Sequence, residues 1–299
     1  LRAKVVGEGA NLGMTQRGRM EFAQKGGRLN TDFIDNSAGV NTSDQEVNIK
    51  IAVGPAVRGG RLSIADRNAL LTRMTDAVGA NSLRNNYQQG LALSLAERDA
   101  ASRAPEYALL MRALEERGLL VRRLEALPSD SALAERAQNK RGLTRPELAV
   151  LLSYAKIALS HDLLASPLLE EPQLASWLDT YFPPALREGF SADIKQHSLR
   201  REIIATGITN AVVNRCGPAF AVRVADETRR STADVSKAFL AVRDIYDLPK
   251  LWQRLDDLDN KVPGQLHLEL YAATQRLLHD LTPWLLRDGV VLADFSSTC

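Results

Sequence analysis

Small and amide-bearing residues form two short clusters near the start of the chain, and each cluster follows a short apolar run. Residues 7–11 (GEGAN) follow Val5 and Val6, and residues 36–40 (NSAGV) follow a run around Phe33. In open parallel sheets, ligands bind beyond the carboxyl ends of the strands, where small residues let the backbone approach the ligand closely. There Asn11 and Asn36 would offer amide donors and acceptors. The same residue types are also typical of tight turns, and their spacing alone leaves both interpretations open.

A dinucleotide-binding fingerprint is excluded in this first cluster. Gly7 and Gly9 match the start of G-x-G-x-x-G, but Leu12 occupies the place of the third glycine. No acidic residue follows at the expected strand end. If the segment belongs to a nucleotide-binding domain, we expect the phosphate-binding turn to lie upstream of Leu1.

Ser43 and Glu46 match the capping-box pattern S-x-x-E ahead of Val47 and Ile51. The pattern predicts a helix that begins at Asp44. A hydroxyl at a helix N-terminus also suits a substrate carboxylate, because the free N–H groups and the helix dipole attract negative charge. Ser43 is therefore both a predicted cap and a candidate ligand contact.

No residue pattern indicates a metal site. The four histidines lack H-x-x-x-H and H-E-x-x-H spacing, and the two cysteines, Cys216 and Cys299, lack C-x-x-C spacing. We expect Cys216 to be a small buried residue and Cys299 to be an exposed tail residue.

The elements that must position these residues change in character along the chain. The first part reads as strand, loop, helix, strand and loop, with the second strand at Asp32-Phe33-Ile34. Later, leucine and alanine recur at helical spacing, and Thr144 and Ser231 open capping boxes. The predicted fold is mostly α, with an N-terminal remnant of an α/β, Rossmann-like nucleotide-binding domain followed by an all-helical domain. The predicted boundaries are 1–43 for the end of the nucleotide-binding domain, 44–60 for a connecting helix and 61–299 for the helical domain.

The composition of the chain argues against some classes of binding partner. The 299 residues carry 38 basic and 36 acidic side chains, a formal charge of +2, which disfavours nucleic acid as a partner. No apolar stretch approaches the roughly 18 to 20 residues that a membrane helix needs, so we expect no membrane partner. Two cysteines favour a reducing, cytoplasmic setting.

Five motifs together resemble one enzyme family. Residues 8–11 (EGAN) and residues 36–46 look like the two signatures that close the nucleotide-binding domain of glutamate dehydrogenases. Residues 13–19 (GMTQRGR), 142–149 (GLTRPELA) and 200–206 (RREIIAT) resemble the large NAD-specific bacterial glutamate dehydrogenases. The resemblance covers essentially the whole chain and implies the C-terminal part of a much longer polypeptide.

The resemblance implies NAD-dependent oxidative deamination of L-glutamate to 2-oxoglutarate and ammonia. By match of motif, Gly9, Ala10, Asn11 and Asn36 would line the nicotinamide-ribose side of NAD, and Ser43 would hydrogen-bond the glutamate side-chain carboxylate. The family's catalytic lysine and aspartate belong to upstream segments, so no catalytic residue is assigned and the chain alone should be inactive. The implied partners are the upstream domains of the polypeptide and further copies in a homo-oligomer.

Two departures and two alternatives stay open. Ala38 stands where the small glutamate dehydrogenases usually carry a second glycine, and Leu12-Gly13 replaces their usual Met-Pro, so the backbone near Asn36 departs from the family's pattern. One alternative is a non-catalytic helical interaction module. The other is a dehydrogenase for another amino acid, for which Ser43 decides, because an apolar substrate side chain would offer it no carboxylate.

Overall fold

The computed structural model describes residues 2–287, and its first part alternates short strands and helices. The elements in this part are β1 (Val5–Val6), α1 (Gln16–Gln24), β2 (Arg28–Leu29) and α2 (Asp32–Asp35). The two strands pair in parallel, with Val5 opposite Arg28 and Val6 opposite Leu29. The predicted order of strand, helix and strand is therefore confirmed.

The position of the second strand was predicted wrongly. Residues 32–34 form part of helix α2, and the strand lies earlier, at Arg28–Leu29. The backbone N–H groups of Ile34 and Asp35 both donate to the Thr31 carbonyl, 3.1 Å away in each case, which closes a helical turn. This turn directs the side chains of Asp32 and Asp35 to the loop after β1.

The next helix begins earlier than the sequence predicts. Helix α3 covers Ser37–Arg58 and directly follows Asn36, so its start lies well before Asp44. Glu46, the expected capping partner of Ser43, pairs instead with Lys50 one turn later in the helix. The helix ends at Arg58, and Gly60 after it has a φ of +71°, a conformation that glycine adopts readily.

The remainder is helical. Its α-helices are α4 (Ile64–Arg73), α5 (Thr75–Arg98), α6 (Ala104–Glu116), α7 (Asp130–Gln138), α8 (Arg145–Ala165), α9 (Ala175–Tyr181), α10 (Pro184–Lys195), α11 (Arg200–Cys216), α12 (Phe220–Thr228), α13 (Thr232–Ile245), α14 (Leu248–Asp256) and α15 (Gly264–Arg287). Two 3₁₀ turns, Pro167–Glu170 and Pro172–Leu174, join α8 to α9. The capping boxes predicted at the starts of α8 and α13 are confirmed.

Helix α8 is the centre of the helical part. It contacts α11, α5, α1 and α13, and Leu148, Leu151 and Leu152 are fully buried in these contacts. Its 21 residues include an 18-residue stretch with a mean hydropathy of 1.4, which is long and apolar enough to cross a membrane by length and composition. This finding corrects the expectation that no stretch reaches that length. In the structure α8 has the position of a core helix, packed between other helices of the same chain.

The predicted fold class is confirmed in its coarser form. The described chain is mostly helical, and its strands are the short parallel pair β1 and β2. The Rossmann-like origin of this pair and the three predicted domain boundaries stay predictions.

Candidate functional site

The structure brings the two predicted asparagines together. Asn36 Nδ2 donates a hydrogen bond to Asn11 Oδ1 at 2.7 Å, across 25 residues of sequence. The pairing leaves the Nδ2 donors of Asn11 and the Oδ1 acceptor of Asn36 without a partner among residues 2–287, so both can bind a ligand. Gly39 permits this arrangement, because a Cβ there would approach Asn36 Oδ1 to 3.1 Å.

Two carboxylates of α2 hold the loop after β1 in place. Asp35 Oδ2 accepts a hydrogen bond from the backbone N–H of Glu8, and Asp32 Oδ2 accepts one from the N–H of Leu12, both at 2.8 Å. Leu12 has a φ of +56°, a left-handed conformation that costs free energy outside glycine. The bond to Asp32 offsets part of that cost and fixes the loop on both sides of Asn11.

A buried ion-pair cluster lies beneath this loop. Arg19 on α1 forms a bidentate pair with Glu8, at 2.6 and 2.7 Å, and its Nη2 lies 3.1 Å from Asp32 Oδ1. Glu8, Arg19 and Asp32 are only 5%, 4% and 8% exposed. The Glu8 carboxylate also accepts a hydrogen bond from the backbone N–H of Met14 at 3.1 Å. The loop is therefore fixed by charged hydrogen bonds rather than by apolar packing.

The charged side chains of this cluster stabilise one another in their ionised forms. The hydrogen bonds with Glu8 raise the pKa of Arg19 above its ordinary value, despite its burial. Burial opposes ionisation of Asp32, but the N–H of Leu12 and the charge of Arg19 outweigh it, so the pKa of Asp32 lies below its usual range. Sequence analysis missed Arg19 and Asp32, because contacts between residues 11 positions or more apart leave no local pattern. The position of Glu8 between two glycines was the available signal, since a charged side chain in a small-residue loop is unusual.

Side chains of the helical part form hydrogen bonds to the residues on both sides of Asn36. Asn86 on α5 donates to the carbonyl of Ile34 at 2.8 Å and to the hydroxyl of Ser37 at 2.9 Å. Gln89, one turn later, donates to the same hydroxyl at 3.2 Å and accepts from Lys156 of α8 at 3.3 Å. Burial lowers the pKa of Lys156 to about 7, and no carboxylate pairs with it in the described part of the chain.

Arg145, at the start of α8, forms a second connection between the helical part and the segment that carries the two asparagines. Its guanidinium donates to Asn30 beside β2 and to the Gly90 carbonyl of α5, the latter at 2.9 Å. Asn30 in turn donates to Asp35 at 2.6 Å, so the contact reaches the carboxylate that holds Glu8. Burial lowers the pKa of Arg145.

Gly9 and Ala10 lie exposed at the tip of the loop after β1. A Cβ built on Gly7 or on Gly9 would meet no atom within 4 Å. The backbone of this loop is thus open to a ligand on the side where Asn11 lies.

Ser43 is not a helix cap, which corrects the capping prediction. It lies well inside α3, where every backbone N–H is already used by the helix, so the N-terminal dipole gives it no support. Its side chain is exposed and shares a face of α3 with Val40 and Val47, which are 62% and 51% exposed. The neighbouring Thr42 hydroxyl is occupied by the Ala38 carbonyl and by Ser82, at 2.8 and 2.9 Å. No such bond occupies Ser43 among residues 2–287, so its hydroxyl can donate to a ligand.

The metal and cysteine predictions concern other parts of the chain. Within residues 2–287, no three His, Cys, Asp or Glu side chains lie where they could hold a metal ion. Cys216 is completely buried, as predicted, and burial raises the pKa of its thiol. Cys299 lies outside the described residues.

Comparison with known proteins identifies the family. Residues 140–298 match the family described as glutamate dehydrogenase, C-terminal, which is more than half of the chain. The chain belongs to the glutamate dehydrogenase family. Residues 1–96 match a second description, the catalytic domain of bacterial NAD-glutamate dehydrogenase. The resemblance noted in the sequence is therefore confirmed.

Individual glutamate dehydrogenases give the same result. Over 287 residues, 96% of this chain, it is 50% identical to the NAD-specific glutamate dehydrogenase of Pseudomonas aeruginosa and 45% identical to that of Halomonas elongata. The protein of the same name from Mycobacterium tuberculosis is 41% identical over an equal span. The chain spans 18% of the length of each of these relatives.

The contacts described above join the two segments that match the two families. The paired asparagines, the Arg19 cluster and Ser43 all lie in the glutamate dehydrogenase segment that matches the catalytic domain, whereas Arg145 and Lys156 lie in the segment that matches the C-terminal family. Gln16 adds a further link, since its amide donates to the Pro146 carbonyl at 3.1 Å. The helical segment thus directly supports the loops that carry the candidate site.

Proposed function

We propose that the full-length protein containing this chain catalyses the NAD-dependent oxidative deamination of L-glutamate. The observation that carries the proposal is the pairing of Asn11 with Asn36 beside two parallel strands, followed by Ser43 on the open face of the next helix. The family membership and the names of the relatives support it. The remainder of the polypeptide would supply the catalytic lysine and aspartate, so the isolated chain is inactive.

The residues present fit the nicotinamide-ribose side of NAD. The Asn11 amide offers N–H donors and the Asn36 amide offers an oxygen acceptor, a pair that suits a carboxamide or ribose hydroxyls. Gly9 and Ala10 are exposed beside them, and no side chain blocks the approach to Gly9. The pair of strands supports the origin of this segment in a nucleotide-binding sheet, whose ligands lie beyond the carboxyl ends of the strands.

Each of these residues has a positioning task. When bound, NAD would supply the hydride acceptor for the glutamate Cα, and hydrolysis of the resulting imine would give 2-oxoglutarate and ammonia. The asparagine pair would orient the nicotinamide-ribose, and the Ser43 hydroxyl would donate to the side-chain carboxylate of glutamate. Because Ser43 lies on rigid helix α3, its distance from the asparagine turn is fixed, which favours one substrate length.

The test is glutamate-dependent NAD reduction by the full-length protein and by its Ser43→Ala variant. Loss of a hydrogen bond to a charged group costs about 1.5 to 3 kcal/mol, so we expect kcat/KM for glutamate to fall roughly 10- to 150-fold. Ser191→Ala is the matched control, because Ser191 is exposed on another helix, α10, and its replacement should leave kcat/KM unchanged.

The alternatives give different results. A wild-type protein that reduces NAD with an apolar amino acid, but not with glutamate, would show a dehydrogenase of different specificity. If the wild-type protein reduced NAD with none of the amino acids tested, the result would contradict the proposal and favour the interaction module. Equal kcat/KM in Ser43→Ala and wild type would keep the reaction and remove Ser43 from the substrate site.

A further inference from the structure

A polar cavity of about 480 Å³ lies between α3 and α5 on one side and α9, α11 and α14 on the other. Its volume is in the range of pockets that hold small molecules. Asparagine and glutamine side chains from four helices line it, among them Asn48, Asn85 and Asn210. The cavity face of α3, with Asn41 and Asn48, differs from the exposed face that carries Ser43, because residues 41 and 43 are separated by about 200° around the helix.

The wall of this cavity contains a buried cation with no salt bridge. Arg215 on α11 is 8% exposed, and no carboxylate lies within salt-bridge distance of it in residues 2–287. Among the described residues, its Nη1 has no hydrogen-bond partner. The nearest compensation is indirect, since the Arg215 guanidinium lies 5.6 Å from the ring centroid of Tyr271, which donates its own O–H to Asp256. Burial therefore lowers the pKa of Arg215 below its ordinary value.

Aromatic rings hold two of the cavity's guanidinium groups. Arg215 lies 4.4 Å over the ring centroid of Trp252, and Arg243 lies 5.0 Å over that of Trp177. A guanidinium that stacks on an indole keeps its N–H edge for oxygen acceptors, and the stacking limits its rotation. One face of each indole is therefore already occupied by a guanidinium.

The charges around the cavity limit the size of an anion. Arg84 adds a third cation at the exposed edge of α5, and Arg243 is partly neutralised by its pair with Asp244. Three carboxylates also line the cavity, on Asp44, Glu202 and Asp256. A large polyanion would lie close to these carboxylates and be repelled by them. A small anion could pair with Arg215 alone, while the asparagine and glutamine side chains bind the uncharged polar part of the same molecule.

We propose that this cavity binds a small oxyanion, a carboxylate or phosphoryl compound, whose oxygen atoms pair with Arg215 while the surrounding carboxamides bind its polar remainder. The site lies outside the residues given a role in the proposed reaction. It contacts the same helix, α3, that carries Ser43.

The test is calorimetric titration of the full-length protein at constant ionic strength, without NAD or glutamate. The two probes are succinate, for carboxylates, and inorganic phosphate, for phosphoryl groups. We expect saturable binding of at least one probe, and the one that binds identifies the chemistry of the ligand. Arg215→Gln should weaken that binding at least about tenfold, because a hydrogen bond to a charged group is lost. Arg230→Gln removes an exposed arginine that does not line the cavity, and it should leave the affinity unchanged.

A second variant keeps the test decisive if Arg215→Gln does not fold. Arg84→Gln lies at the exposed edge and should weaken binding a few-fold, with a smaller effect at high salt because exposed charges are screened. Unchanged affinity in that variant would then overturn the proposal.

Other results would also overturn it. These are the absence of saturable binding of either probe to the wild type, equal affinity in a folded Arg215→Gln variant, or binding that Ser43→Ala abolishes and Arg215→Gln does not. The titration requires no turnover, so its outcome is separate from that of the proposed dehydrogenase reaction.

Discussion

The front segment, residues 2–36, and the helical body, residues 75–287, are held together by different forces. In the described front segment, Leu29 and Ile34 are the buried hydrophobic residues, whereas Glu8, Arg19 and Asp32 form a buried ionic cluster. The helical body has a large apolar core around α8. Charged hydrogen bonds are directional and fix atoms in place, whereas apolar burial stabilises without fixing a direction. The segment that must place Asn11 and Asn36 is therefore built from directional contacts.

The sharpest test of this comparison is Arg19→Met. The change leaves the carboxylates of Glu8 and Asp32 buried without their cation, and breaking a buried ion pair costs about 3 to 5 kcal/mol. We expect faster amide hydrogen exchange across residues 5–36 of the full-length protein and loss of glutamate-dependent NAD reduction. Exchange in α11 and α13 should change little, because α1 packs mainly against α8, and α2 packs mainly against α3 and α5.

Arg17→Met is the matched control for this experiment. Arg17 lies on the same helix, α1, but is exposed, so the same chemical change there should alter neither exchange nor activity. If Arg19→Met behaved like Arg17→Met, the front segment would not depend on its ionic cluster.

The opposite test is Leu151→Ala in the core of α8. Leu151 is fully buried, and truncation of such a residue costs about 2 to 5 kcal/mol, depending on how far the cavity relaxes. Hydrogen exchange should become faster across α8, α11 and α13 together, because these helices share one core. Ile157→Ala removes an apolar side chain that is 56% exposed on the same helix and should have little effect. A Leu151→Ala effect confined to α8 would contradict the shared core.

Sequence patterns predicted these two regions unequally. Leucine spacing and the capping residues Thr144 and Ser231 located α8 and α13, because helix period and caps are local signals. In the front segment, the pattern predicted a strand at Asp32-Phe33-Ile34, where the structure has a helix. Just after this segment, the pattern also predicted a helix cap at Ser43, which lies inside α3.

The residues of the candidate site also differ in whether the sequence could predict them. The two small-residue clusters identified Asn11 and Asn36, and the structure confirms that they meet. Sequence analysis did not identify Arg19 or Lys156, since a contact between distant residues depends on the three-dimensional fold rather than on a local period. The cavity at Arg215 was missed for the same reason, as its walls come from helices far apart in sequence.

A pH experiment examines the junction between the two regions at Lys156. Its pKa is about 7 when folded and near 10.4 in an unfolded chain, so between these values the unfolded state binds more protons. The free energy of unfolding therefore rises with pH across this window, and the penalty is present in full below pH 7. Lys156→Met removes the penalty, so we expect protection of α8 to change less between pH 7 and 9 in the variant than in the wild type. Lys195→Met, at an exposed position, is the control and should keep the wild-type dependence.

The smallest expected effect concerns a polar contact within the helical body, Thr144→Ala. The backbone N–H and the hydroxyl of Thr144 both donate to Glu147 at 2.7 Å, and Glu147 is completely buried. Loss of a capping side chain costs about 0.5 to 2 kcal/mol. The backbone N–H and Arg136, which donates to Glu147 at 2.8 Å, remain after the substitution. We therefore expect faster exchange only in the first turn of α8. If exchange instead rose throughout α8 and in the loop around Asn11, the cap would control the front segment through Arg145. The helical body would then depend on directional contacts as much as the front segment does.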